Sequence, residues 1–151
     1  MKKILATLFV LPFLLGCNRN QEYTGYKLTV ERDESGELTE STPEELYENA
    51  ITNNKDCIYY IGDDTCSSCQ KLKPQLIAWT TMYKGKIYSI PLNMITNENV
   101  EKINDATVGY YEWSKNQSIP AVFFFGSGTV IFRGDDTSAM NFLNKYVQVQ
   151  E

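Results

Sequence analysis

Cys66-Ser67-Ser68-Cys69 carries the clearest chemistry in this chain. Two cysteines separated by two residues either close a small disulfide or hold a reactive thiolate, and their surroundings decide which. Upstream, Cys57-Ile58-Tyr59-Tyr60-Ile61 is apolar throughout and predicts a buried strand. Downstream, residues 70–82 predict a helix. A CxxC placed where a strand turns into a helix sets its first sulfur at the helix N-terminus. Unpaired backbone N–H groups and the helix dipole stabilise a thiolate there. The pattern points to thiol–disulfide exchange, with a purely structural bridge as the alternative.

Other chemistries are narrowed by composition. The chain has no histidine, which excludes Cys-His and Ser-His catalysis and removes the commonest transition-metal ligand. Three thiolates would need an outside ligand to hold zinc. Cys57 fits the apolar pattern of its strand as a packed small hydrophobe. No metal site and no cofactor are expected. Basic residues are nowhere clustered, which argues against nucleic acid as a partner.

The elements that would position the cysteines follow from pattern. Ser41-Thr42-Pro43-Glu44-Glu45 is a helix start: a hydroxyl cap, then proline in the first turn, then acids at the positive dipole end. That helix should run to about Asn53. The strand before the CxxC and the helix after it come next, with Pro74 inside the helix. Residues 86–92 predict a second core strand, and 98–115 a helix weakened by Gly109. Residues 121–125 and 129–133 predict two strands around the turn Gly126-Ser127-Gly128. Residues 136–147 predict a last helix with Met140, Phe142, Leu143 and Tyr146 on its apolar side. A βαβ half followed by a ββα half implies an α/β fold, a central mixed sheet covered by helices on both faces.

The N-terminus suggests where this chemistry happens. Lys2 and Lys3 precede the apolar run Ile4 to Gly16, 13 residues long. A membrane span needs roughly 20, so the run predicts a secretory signal peptide over residues 1–16. Leu14-Leu15-Gly16-Cys17 resembles a bacterial lipobox, in which cleavage precedes the cysteine and that cysteine receives lipid. Leu15 stands where the box usually has a small residue. An ordinary secreted protein with a stray Cys17 is the alternative. Asn18 is not the aspartate of the Gram-negative inner-membrane retention signal, so the expected location is the outer face of a Gram-positive plasma membrane. Residues 17–40 are read as a lipid-anchored tether and 41–151 as the domain, although Tyr26 to Val30 alternates as a short strand would. If flexible, about 20 tether residues span on the order of 25 Å, enough to clear the lipid headgroups.

Once the signal is removed, 135 residues remain, with 12 basic and 19 acidic side chains. That length fits one domain plus a tether. An apolar fraction of 42% with 13% aromatics is enough for a packed core. With Cys17 assigned to lipid, the three remaining cysteines fit one reversible pair and a buried thiol rather than a disulfide framework.

Four features in order make the chain resemble the thioredoxin-fold family. They are the apolar strand leading into Cys66-Ser67-Ser68-Cys69, Pro74 inside the following helix, Ile119-Pro120 directly before a strand, and the hairpin through Gly128-Thr-Val-Ile-Phe-Arg-Gly134. Together they cover about residues 42–146. The resemblance implies that Cys66 is the nucleophile and Cys69 the more buried resolving thiol. It further implies that Pro120 is a cis proline facing the pair, and that Ile119 offers its backbone to an extended substrate segment. Three departures stand out. Thr65 replaces the family's tryptophan, Ser67-Ser68 its Gly-Pro, and Tyr60 occupies the place of its buried acid, the proton acceptor for the resolving thiol. Asp63, Asp64 or water would then handle the proton, although loop capping is the more ordinary role for the two aspartates. The stretch between Cys69 and Pro120 is also longer than in a minimal member. Its Tyr110, Tyr111 and Trp113 are core aromatics or line a substrate groove.

The implied activity is an extracytoplasmic thiol–disulfide oxidoreductase acting on secreted or surface proteins with thiols or disulfides, served by a membrane electron donor or oxidant. Two alternatives stay open: an accessory protein for disulfide formation in bacteriocins, and a redox-inert binding or adaptor lipoprotein.

Overall fold

The computed structural model describes residues 27–107 and 119–151. Strand β3 (Cys57–Gly62) is buried at every position because it lies inside a sheet covered on both faces, where apolar side chains are needed on both sides. It pairs in parallel with β4 (Tyr88–Pro91) and antiparallel with β5 (Ala121–Gly126), which is also wholly buried. β2 (Thr39–Glu40) and β6 (Thr129–Gly134) form the edges, giving the order β2-β4-β3-β5-β6. Ser127 and Gly128 join β5 to β6 with φ of 52° and 78°. This left-handed pair suits the twist of a tight hairpin.

The pleat divides the core. Cys57, Tyr59, Ile61, Phe123 and Phe125 face α1 (Pro43–Tyr47) and α3 (Val100–Thr107), meeting Leu46, Ala50, Ile103 and Ala106. Ile58, Tyr60, Val122 and Phe124 face α2 (Ser67–Tyr83) and α4 (Asp136–Tyr146), meeting Leu72, Leu76, Ala139 and Leu143. The expected mixed sheet with helices on both faces is therefore present. The two adjacent tyrosines of β3 point to opposite sides. Tyr59 stacks on Tyr88 with ring centroids 4.7 Å apart, whereas Tyr60 points toward the helix that carries the CxxC.

Local sequence sets the helix limits. Thr42 caps α1 in a capping box: its hydroxyl accepts from the Glu45 N–H, and the Glu45 carboxylate accepts from the Thr42 N–H. The helix continues as a π-helical turn, Glu48–Thr52, close to its expected end. The second core strand is shorter than expected. The helix after it spans Val100–Thr107, and the rest of the expected 98–115 segment lies outside the described residues.

The expected domain start at residue 41 is corrected by the structure. Within the 17–40 segment read as a tether, β1 (Leu28–Val30) pairs in parallel with β7 (Val147–Val149), a strand the sequence did not suggest. Leu28 and Val30 are fully buried against the α2/α4 core. Residues after them are fixed too. The Lys86 N–H donates to the Glu31 carbonyl, the Asp33 N–H to the Lys84 carbonyl, and the Thr81 hydroxyl to the Gly36 carbonyl. Alternating apolar side chains in residues 28–30 make a half-buried strand once a partner edge is supplied, and β7 supplies it. The expected signal peptide and Cys17 lie outside the described residues.

Candidate active site

Strand register assembles the site. Ile61 pairs with Ala121 and Gly62 with Pro91. The loop leaving β3, the residues entering β5 and the residues leaving β4 therefore meet at one end of the sheet. Cys66 and Cys69 arrive on the first, Ile119 and Pro120 on the second.

Cys66 is the N-cap of α2, with an extended backbone, and it is half-buried. Its Sγ accepts from the Cys69 N–H at 3.2 Å, one of the donors a helix start leaves unpaired. The Cys66 thiol also lies 3.6 Å from the Ile119 carbonyl oxygen, donating toward it. The Ile119-Pro120 bond is cis. The residues singled out on resemblance are thus brought together: Ile119 against Cys66, Pro120 buried beside it, and Cys69 one turn further into the helix, only 1% exposed. Pro74 lies inside α2 on its exposed side. Tyr110, Tyr111 and Trp113 lie outside the described residues.

Burial pushes the Cys69 thiol above its ordinary range, and its hydrogen bond with Cys66 and the charge on Cys66 add to this. A backbone hydrogen bond at Asp63 acts in the opposite direction. Cys57 is remote from this chemistry. It packs in the α1/α3 core, and burial, with help from Asp56, holds it as a thiol by pushing it up to about 12. Cys57, Cys66 and Cys69 are all free thiols. Among the described residues, no group of three or more Cys, Asp or Glu side chains is arranged to hold a metal.

The loop aspartates have structural employment. The Asp63 carboxylate accepts from the N–H and the hydroxyl of Thr65, both at 2.7 Å, which holds it below its ordinary range. Asp64 pairs with Lys73 at 2.9 Å. Tyr60, at the place of the family's buried acid, lies on the α2 side of β3. Period-two alternation placed it on the same strand face as Ile58. That this face meets Leu72 and Leu76 of α2 depends on how the helix docks, which no local pattern records.

The fold has wide structural likeness. Thioredoxin O1 of Arabidopsis thaliana superposes with a TM-score of 0.52 at 17% identity, covering 73% of this chain and 97% of that one. Thioredoxin of Plasmodium falciparum gives 0.51 at 16% identity, covering 72% and 97%. A mutant thioredoxin of Halobacterium salinarum gives 0.51 at 13% identity, covering 77% and 96%. The chain therefore has the thioredoxin fold. No protein-family model matches its sequence, and no curated protein does.

Proposed function

We propose that this protein is an extracytoplasmic thiol–disulfide oxidoreductase, anchored through lipid on Cys17 to the outer face of the plasma membrane of a Gram-positive bacterium. One observation carries the redox reading. A half-buried cysteine caps a helix with its sulfur 3.6 Å from a backbone carbonyl of a cis-proline segment, and a second thiol is buried one turn behind it.

In this reading the Cys66 thiolate attacks a disulfide of a protein substrate and forms a mixed disulfide. The Ile119 segment offers backbone to an extended stretch of that substrate. Cys69 then attacks Cys66, and the substrate leaves with both of its sulfurs reduced while Cys66–Cys69 becomes the disulfide. The same steps in reverse oxidise a dithiol. The reduction potential relative to the membrane-side donor or oxidant sets the direction. Accessory oxidation of bacteriocin cysteines would be the reverse case.

Trapping tests the proposal. Cys69→Ser should accumulate covalent, reductant-sensitive complexes with protein substrates through Cys66, and Cys66→Ser should accumulate none. Absence of complexes with both variants would leave a redox-inert adaptor as the better account.

A further inference from the structure

The sheet end that carries the cysteine pair also opens a groove on its α2 side. Two clefts, of about 250 Å³ and about 410 Å³, meet there at Asp64, Lys73, Ser89 and Pro91. The first starts at Gly62 and Asp63, beside the loop that carries the cysteines, where the Asp63 carbonyl accepts from the Cys66 N–H. The second runs on to Glu37, Leu38 and Glu40, at the edge strand β2. Register gives the length of the groove. Gly62 lies opposite Pro91 of β4, and Glu40 lies opposite Ser89 of the same strand. Two residues along β4 and two strand spacings across set Glu40 about 12 Å from Gly62. Three or four residues of extended chain cover that span.

The charges along the groove are mostly of one sign. Glu37, Glu40, Asp63 and Asp64 set four carboxylates against one ammonium, that of Lys73. Lys73 pairs with Asp64 at 2.9 Å, in an exposed contact that water screens. Asp63 is held by Thr65. Glu37 and Glu40 are exposed, and neither carboxylate has a hydrogen bond or a cation among the described residues. Leu38, Ile77, Pro91 and Leu92 supply apolar wall between the charges. At the inner end Tyr60 is 3% exposed, and its hydroxyl lies over Gly62, 2.1 Å from where a Cβ would stand. No described group meets that hydroxyl at hydrogen-bond geometry. A polar atom on so buried a side chain calls for a partner, and the cleft that Tyr60 lines is open to one.

We propose, on the oxidoreductase reading above, that this groove binds an extended, lysine- or arginine-rich segment of the protein substrate, close in sequence to the cysteine that Cys66 attacks. β5 carries the Ile119 segment on one side of β3, and β4 lines the groove on the other. The groove therefore adds a second contact surface to the one at Ile119. Cationic side chains of the segment pair with Glu37 and Glu40. Its backbone passes Tyr60 Oη, which donates to a carbonyl or accepts from an N–H. Complementary charge raises the encounter rate and orients the segment, most strongly at low ionic strength. The same carboxylates repel a glutamate-rich segment.

Two synthetic disulfide-bridged peptides test this, identical except for three lysines or three glutamates on each side of one half-cystine. At low salt the reduced full chain should react with the lysine peptide about tenfold faster than with the glutamate peptide, and the rates should converge at about 0.5 M salt. Glu37→Gln/Glu40→Gln should cut that preference about fivefold, the scale of two exposed charge pairs. Glu98→Gln/Glu101→Gln removes as much charge around the start of α3, across the sheet, and should keep the preference. Equal losses in the two double variants would assign the effect to net charge and overturn the proposal, as would equal rates for the two peptides with the unaltered chain. Binding separates the groove from the redox reading. Full-chain Cys66→Ser/Cys69→Ser protein should bind the S-methylated lysine peptide more tightly than the glutamate one, and Glu37→Gln/Glu40→Gln should remove the difference. That result without trapped complexes would sink only the oxidoreductase reading, and trapped complexes without a flank preference would sink only the groove.

Discussion

Residue identities at this site are tied to one another through very short distances. Tyr60 can lie over the end of β3 only because position 62 has no side chain. Gly62→Ala would place a methyl 2.1 Å from Oη and 2.4 Å from Cζ of the ring. The ring would have to move within a packed core, which typically costs about 1–3 kcal/mol. We expect a lower urea midpoint. A Gly62→Ala protein of unchanged stability would show that the ring has more freedom than its packing implies. Cys57 sits outside this linkage. Its burial should protect it from iodoacetamide at pH 8 in the folded protein, as peptide mapping of labelled sites would reveal by recovering modified Cys57 only after denaturation.

At the scale of elements, the sequence was most legible where chemistry and local pattern coincide. The apolar run of β3, the N-cap cysteine of α2, the hydroxyl and proline at the start of α1, and the glycine-bounded turn after β5 each contain their own signal. β1 and β7 do not. Each is three residues long, too short for alternation to stand out, and their partnership joins segments from opposite ends of the chain. The flanking charges of residues 31–37 made the same stretch look like a leader. Its packing makes a direct test. A chain beginning at residue 41 loses Leu28 and Val30, whose burial contributes about 1.5–3 kcal/mol each, and leaves β7 unpaired. It should unfold at a markedly lower urea concentration than one beginning at residue 27. Equal midpoints would mean that β1 is an ornament of the fold.

For the whole molecule, parallel pairing on one side of β3 and antiparallel pairing on the other decides what meets at the working end. The loop after β3 emerges beside the entry to β5, so a segment more than fifty positions away in sequence contacts Cys66. Sequence reasoning reached this arrangement through resemblance and not through any local rule, because the register of two distant strands has no short-range signature. Tyr60 was legible as a departure from the family pattern, but its place in the wall of the cleft beside Gly62 was not. Placement in the cell is tested at this scale as well. Cys17→Ser should move the protein from the membrane fraction to the medium, and wild-type protein already free in the medium would remove the anchor from the proposal.

The pairing of β1 with β7 brings the first and last strands of the described residues side by side. Leu28 stands opposite Val147 and Val30 opposite Val149. Since the two strands run the same way, the gap from Val149 back to Leu28 is little more than the length of β1, about 10 Å at strand spacing. In connectivity the domain is almost a ring. A linker of about five residues would close it, and the exposed Ser127-Gly128 turn offers a place to open it elsewhere. The cysteine pair would then lie in the second half of a permuted chain, with every strand still beside its present neighbour.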